Sequence, residues 1–175
     1  QGELFQAIAG TSMSSPHVAG LFALLKQAHP DWSPAAARSA LMTTADPDVL
    51  DNDRTSLADP FDTGSGHVAP GRPSHAGSMF DPGLVYDAGF LQYLEFLCGV
   101  GELCLEDIAE VDPSDLNYPS IGASGVPGTL TVERTVTNVS GGRLRLNAVI
   151  EEPNGYDVTV TPARLTPSII DMNFA

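Results

Sequence analysis

One segment near the start of the chain limits what this sequence can fold into. Residues Gly10–His17 read glycine, threonine, serine, methionine, serine, serine, proline, histidine, and the apolar run Val18–Leu25 follows directly. A run that is apolar on nearly every side predicts a helix buried all round. Pro16 would fix φ in its first turn. Ser12 then lies at the mouth of the helix, where its hydroxyl could cap free N–H groups or act as a nucleophile beside them.

Residues Gly10–His17 also resemble the segment around the nucleophile of subtilisin-like serine proteases, which is glycine, threonine, serine, methionine, then alanine or serine, any residue, proline and histidine. The resemblance implies that Ser12 is the catalytic nucleophile and that its backbone N–H is one oxyanion-hole donor. The G-x-S-x-G segment of α/β-hydrolases does not fit, because Ser14 stands where its second glycine belongs. The fold implied is α/β, the C-terminal part of a subtilisin-like parallel-sheet catalytic domain.

A nucleophilic serine needs a general base within hydrogen-bond reach and a third group that orients the base. His17 lies five residues after Ser12, which on a helix is about 7.5 Å along the axis and about 140° around it, so we predict a structural role for His17. In subtilisin the order along the chain is aspartate, histidine, serine. We therefore expect the catalytic aspartate and histidine before Gln1, in the upstream half of the same domain. The chain alone is then expected to be inactive.

Further segments resemble plant-type subtilases and their bacterial relatives: Ala28–Pro34, Leu41–Ala45, Phe80–Asp87 and Leu116–Ile121. Within the first of them, Ser33 followed by proline predicts an N-cap and the start of a second helix. Trp32, between two prolines, is predicted to be a packing residue. Apolar residues at helical spacing after Phe90 predict a third helix that is capped at Gly99.

From about Asp112 the apolar residues alternate with a period of two, which predicts strands. The runs Leu144–Ile150 and Tyr156–Val160 flank Asn154-Gly155, a typical hairpin turn, and Thr129–Val139 is predicted to be an earlier strand. Such strands indicate a partial antiparallel β-sandwich over residues 112–175, following a peptidase part over residues 1–111. In the resembled family a fibronectin-III-like domain stands here.

Two other features bear on bound groups and covalent links. Cys98 and Cys104 stand six residues apart, which in a secreted protein predicts a disulfide, with reduced thiols as the alternative. Two thiolates supply only half of a tetrahedral metal site. Aspartates crowd residues 46–62, and a calcium loop is the sharper hypothesis there. The spacing lacks the glycine and distant glutamate of an EF-hand loop, so we predict an exposed acidic loop and no cofactor.

The composition limits the partners. The chain has 22 acidic and 8 basic residues and a formal net charge of −14, which disfavours binding to nucleic acid. It contains no apolar run of about 18 residues, so no membrane span is predicted. The resulting hypothesis is part of a secreted serine endopeptidase that cleaves peptide bonds in proteins by acyl transfer. The alternative is a non-catalytic pseudo-protease or an extracellular surface-binding module.

Overall fold

Helices occupy the first part of the chain and short strands the second. The computed structural model describes residues 5–71, 77–166 and 172–174. The helices are α1 (Thr11–Ala28), α2 (Pro34–Thr43), α3 (Pro60–Thr63) and α4 (Phe90–Gly99), and a 3₁₀ turn covers Pro113–Asp115. The strands are β1 (Leu84–Val85), β2 (Arg134–Asn138), β3 (Leu146–Asn147), β4 (Arg164–Leu165) and β5 (Met172–Phe174).

Helix α1 begins earlier than the apolar run suggests. The carbonyl of Gly10 accepts the N–H groups of Met13 at 2.9 Å and Ser14 at 3.1 Å, so the first turn forms at Thr11. Pro16 therefore lies in the second turn, and its predicted place in the first turn is wrong. The described residues do not bury the helix all round, and its burial on every side stays a prediction for the complete domain. Leu25 is the one residue of α1 that they bury fully, because one face of the helix has nothing packed against it.

The other two predicted helices are confirmed. The Ser33 hydroxyl caps α2 by accepting the N–H of Ala36 at 2.9 Å. At the start of α4, the Gly89 N–H donates to the side-chain oxygen of Gln92 at 2.9 Å. The predicted C-cap of α4 is wrong by one residue, because Gly99 is still helical and Val100 is the cap. A Cβ atom at Gly99 would stand 2.1 Å from the carbonyl oxygen of Val111, so only glycine fits there.

Helices α1 and α2 pack together around a small apolar core. The buried members of this cluster are Leu25, Ala37, Leu41 and Met79. Trp32 packs against it and also against the neighbouring cluster of Ala36, Ala40 and Val85. The indole ring stacks on the His29 ring with centroids 3.9 Å apart, which confirms the predicted packing role of Trp32.

The sheets are small, and all described strand pairs are antiparallel. Strands β1, β2 and β5 form one sheet in the order β1-β2-β5, with Leu84 opposite Asn138, and β3 and β4 form a second sheet. No described strand belongs to a parallel sheet. Strand β1 comes from the predicted peptidase part and β2 from the predicted sandwich part. The first sheet therefore joins the two parts of the chain.

The predicted hairpin forms only at its turn. Residues 153–156 turn as expected, with the Tyr156 N–H donating to the carbonyl of Pro153 at 3.1 Å. The strand predicted over Tyr156–Val160 is absent, because the Val158 N–H donates to a Glu152 carboxylate oxygen instead of to a strand. Strand β3 pairs with β4 further along the chain. The strand predicted over residues 129–139 is present but shorter, as β2.

Candidate active site

Ser12 is the second residue of α1, at the end of the helix where backbone N–H groups point outward. The N-cap is Gly10, so the capping role considered for Ser12 is not what the structure shows. The Ser12 hydroxyl is exposed and forms no hydrogen bond with any other described residue. Its backbone N–H likewise has no acceptor in the described part of the chain. Hydroxyl and N–H are both available to a ligand beside the positive end of the helix dipole.

Two neighbours shape this end of the helix. Pro16 has no N–H group, so it cannot donate the hydrogen bond that the Ser12 carbonyl would otherwise accept from the residue four positions on. The His17 ring nitrogen Nδ1 lies 2.6 Å from the carbonyl oxygen of Met13, to which it donates. His17 is therefore tied to its own helix, as its spacing from Ser12 predicts.

The other described histidines have partners of their own. His29 Nε2 lies 2.8 Å from the carbonyl oxygen of Phe80. His67 pairs through its backbone with Asp46, with both N–H to oxygen distances at 2.8 Å. His75 lies outside the described residues. None of the histidines in residues 5–71 forms a hydrogen bond with Ser12, and the base that activates the hydroxyl stays a prediction for the upstream sequence.

Comparison with known proteins shows to which family this chain belongs. The model of the subtilase family matches residues 1–99, and a fibronectin type-III domain model matches residues 115–170. The chain belongs to the subtilase family. It is 42% identical to subtilisin-like protease SBT2.5 of Arabidopsis thaliana over 98% of its length, and 42% identical to subtilisin-like protease SBT3 of Solanum lycopersicum over 88%. The matched region is 22% of each of these relatives.

The subtilase match and the fibronectin type-III match leave residues 100–114 between them. The predicted domain boundary at residues 111 and 112 lies inside that interval and stays a prediction. The order of the two matches agrees with the fold inferred from the sequence, a subtilase fragment followed by a fibronectin-like domain. The assignment of Ser12 as nucleophile still rests on the resemblance of residues 10–17 and on the position of Ser12 at the start of α1.

In this subtilase chain Cys98 and Cys104 are joined by a disulfide. Cys98 is buried near the end of α4, whereas Cys104 lies in the exposed loop that follows. The bond ties that loop to the helix. No helix of the described ranges is long and apolar enough to cross a membrane.

The aspartate-rich segment of the subtilase domain is organised by local turns. Asp59 caps α3 by accepting the N–H of Phe61 at 2.7 Å. One carboxylate oxygen of Asp53 accepts the N–H groups of Thr55 at 2.8 Å and Ser56 at 2.9 Å, and the other accepts the Ser56 hydroxyl. Hydrogen bonds from Ser56, its side chain first, hold the pKa of Asp53 well below its ordinary value. Among the described residues no group of three or more histidines, cysteines and acids is arranged to hold a metal ion.

Sequence reasoning missed a buried arginine where the subtilase and fibronectin parts meet. Arg134 of β2 is 5% exposed. Its Nε donates to the carbonyl of Tyr118 at 2.9 Å, and its Nη1 donates to the carbonyls of Ser114 and Glu133, each at 2.8 Å. Burial lowers the pKa of Arg134, and nearby Asp115 opposes that shift. The available signal was its position in the strand, because Arg134 lies on the same face of β2 as the buried Val136 and Asn138.

The segment over residues 114–120, whose backbone carbonyls accept hydrogen bonds from Arg134, also contacts the helices. The guanidinium of Arg38 in α2 lies 4.1 Å from the centre of the Tyr118 ring, a cation–π geometry, and donates to the Tyr93 hydroxyl of α4 at 2.7 Å. The buried Asn117 accepts the N–H of Thr135 at 3.0 Å. We call Arg38, Asn117, Tyr118 and Arg134 the junction. Through it, β2 is linked to α2 and α4.

Proposed function

We propose that the protein to which this chain belongs is a secreted serine endopeptidase, with Ser12 as its nucleophile. The observation that carries the proposal is the placement of Ser12 at the start of α1, with both its hydroxyl and its N–H free of other described residues. Membership of the subtilase family supports the same chemistry. The matched relatives are named as proteases, and the chain spans less than a quarter of their length.

The proposed reaction is acyl transfer. Ser12 Oγ attacks the carbonyl carbon of the scissile peptide bond, and an upstream histidine removes the serine proton and later gives it to the leaving amine. An upstream aspartate orients the histidine. The Ser12 N–H donates to the oxyanion that forms, and the N-terminal end of α1 adds a favourable dipole. Water then hydrolyses the acyl-enzyme and releases the second product.

The disulfide supports secretion, and the net charge limits the partners. The Cys98–Cys104 disulfide fits an oxidising compartment, since such bonds are rare in the cytosol. The net charge of −14 disfavours nucleic acid as a partner, because phosphate contacts need a basic surface. We propose no cofactor for the reaction, because acyl transfer by a serine nucleophile needs none.

The test is Ser12→Ala in the full-length protein. We expect the variant to fold normally and to lose about 10⁶-fold in kcat, the loss seen when the nucleophile of subtilisin is removed. A fluorophosphonate probe should label the wild type at Ser12 and leave the variant unlabelled.

Ser15→Ala is the matched control, because Ser15 is an exposed serine of the same helix at a position where the family accepts any residue. It should keep its labelling and its turnover. If Ser12→Ala kept more than a few per cent of the activity, another residue would have to be the nucleophile.

A further inference from the structure

The turn at Asn154-Gly155 has no part in the proposed acyl transfer, and the structure leaves it exposed. It lies in the connection between β3 and β4, where every residue from 151 to 159 is exposed. One backbone hydrogen bond closes the turn, from the Tyr156 N–H to the carbonyl of Pro153 at 3.1 Å. No strand follows along the described residues 156–163, so the ladder of a paired hairpin does not hold this turn.

Two chemical groups of the turn have no partner among residues 5–71, 77–166 and 172–174. The Asn154 side-chain amide forms no hydrogen bond with any of these residues, and the Gly155 N–H donates to none of them. Gly155 has φ +87°, and a Cβ atom placed on it would meet nothing within 4 Å. Because glycine has no side chain, nothing hinders the approach of its nitrogen to the neighbouring amide.

Asn147 provides the comparison, since it is also exposed and lies in β3 before the same connection. The N–H group that follows it, on Ala148, donates to the carbonyl of Ala163 at 2.9 Å. Its side-chain oxygen accepts the Nε–H of Arg164 at 3.0 Å. Paired backbone and side-chain groups are held in place. The fold therefore restrains both reacting groups at Asn147 and neither of them at Asn154.

We propose that Asn154 is a site of spontaneous deamidation. The Gly155 nitrogen gives its proton to hydroxide and attacks the side-chain carbonyl carbon Cγ of Asn154. A nitrogen–carbon bond forms there, the Cγ–Nδ2 bond breaks, and the departing nitrogen takes a proton from water and leaves as ammonia. Water then opens the cyclic imide. Opening at Cγ gives aspartate, and opening at the backbone carbonyl gives isoaspartate, whose main chain runs through the former side chain.

The products change both the charge and the length of the turn. Either product adds one negative charge to a chain whose net charge is already −14. Isoaspartate also inserts one carbon atom into the main chain between Pro153 and Tyr156, which share the hydrogen bond that closes the turn. That bond should be lost. Chemical ageing of the protein would thus alter the β3–β4 connection and leave Ser12 unchanged.

The test is incubation of the full-length protein in mildly alkaline buffer, in a Ser12→Ala background that prevents self-digestion. Peptide mapping by mass spectrometry measures the conversion of each asparagine, and chromatography separates aspartate from isoaspartate peptides. Asn154 should convert at least about tenfold faster than Asn147, where the Ala148 N–H must first leave its hydrogen bond. The rate at Asn154 should rise about tenfold per pH unit, because the attacking nitrogen must lose its proton.

A parallel incubation in guanidinium chloride separates the effect of the fold from that of the sequence. Unfolding breaks the Ala148 hydrogen bond, so Asn147 should convert faster than in the folded protein, whereas Asn154 should convert at a similar rate in both states. N154Q should abolish the acidic shift on isoelectric focusing, and N147Q, the matched control, should keep it. The proposal is overturned if Asn154 converts no faster than Asn147 in the folded protein, or if folding slows its conversion by about tenfold or more.

Discussion

The junction around Arg134 and the first turns of α1 differ in how many of their side chains and polar groups find partners within this chain. At the junction a buried guanidinium meets three backbone carbonyls at 2.8–2.9 Å, all from within residues 114–134. In α1 every residue from Thr11 to His17 is exposed. The buried arginine thus has its partners within this chain, whereas the N-terminal end of α1, which carries the proposed nucleophile, has few among the described residues.

The difference is visible in adjacent residues of α1. Leu25 is fully buried against α2, and Leu24 beside it is 49% exposed. A helix with large apolar side chains on an uncovered face is expected to pack against another layer of the domain. We therefore expect the rest of the catalytic domain to cover the Leu24 face in the full-length protein. The junction should depend much less on that remainder.

The largest expected effect is at the junction. Arg134→Met in the full-length protein should lower the free energy of unfolding by about 3–6 kcal/mol, because the carbonyls of Tyr118, Ser114 and Glu133 lose a buried donor. Urea denaturation measures the loss. Arg143→Met is the control, since Arg143 is exposed and its replacement should change stability by less than about 0.5 kcal/mol. Equal effects of the two substitutions would show that the junction contributes no special stability.

The sequence predicts the parts of this molecule that depend on local signals. Ser33 before a proline identifies the start of α2, and the octet Gly10–His17 identifies the candidate nucleophile. Long-range pairing is harder to predict. The alternation over Tyr156–Val160 shows that one face could be buried, but β3 pairs with β4 instead. The choice depends on which strand reaches β3 in space, and a period of two carries no information about that.

The junction was missed for a related reason. An arginine in a strand is ordinarily exposed, and its burial depends on carbonyls from a segment about 14–20 residues away along the chain. The partners of Ser12 were not resolved from the sequence either, because a general base and its orienting acid are recognised by geometry. In both places the missing information is the position of a distant segment.

The second effect tests the uncovered face of α1. In the full-length protein Leu25→Ala should cost about 2–5 kcal/mol, because it opens a cavity in the α1–α2 core. If the rest of the domain covers α1, Leu24→Ala should cost a similar amount despite its exposure here. Leu57→Ala is the control, since Leu57 is 66% exposed in a loop, and it should cost less than about 0.5 kcal/mol. A Leu24→Ala variant as mild as the control would mean that this face stays open to water.

The smallest expected effect concerns the pKa of the Asp53 carboxyl, which depends on neither the junction nor α1. Asp53 is held by hydrogen bonds from Ser56 and Thr55, so its pKa is lowered by residues within three positions of it. A carboxyl with a lowered pKa in the folded state stabilises the fold above its ordinary pKa, and that contribution is lost as the pH falls through the folded value. Below about pH 4 the Asp53 turn should therefore lose this local support.

Carbon-13 NMR titration of the Asp53 carboxyl measures this directly. Ser56→Ala should raise the pKa of Asp53 toward its ordinary value, because the Ser56 hydroxyl is the largest cause of the lowering. Thr55→Ala is the matched control, since the Thr55 side chain contributes least, and the pKa should stay low. The shift should be the same in the full-length protein and in residues 1–175, because all its causes are local. If the pKa of Asp53 differed between these two chains, the acidic segment would depend on distant parts of the fold. That is the dependence we expect for the environment of Leu24.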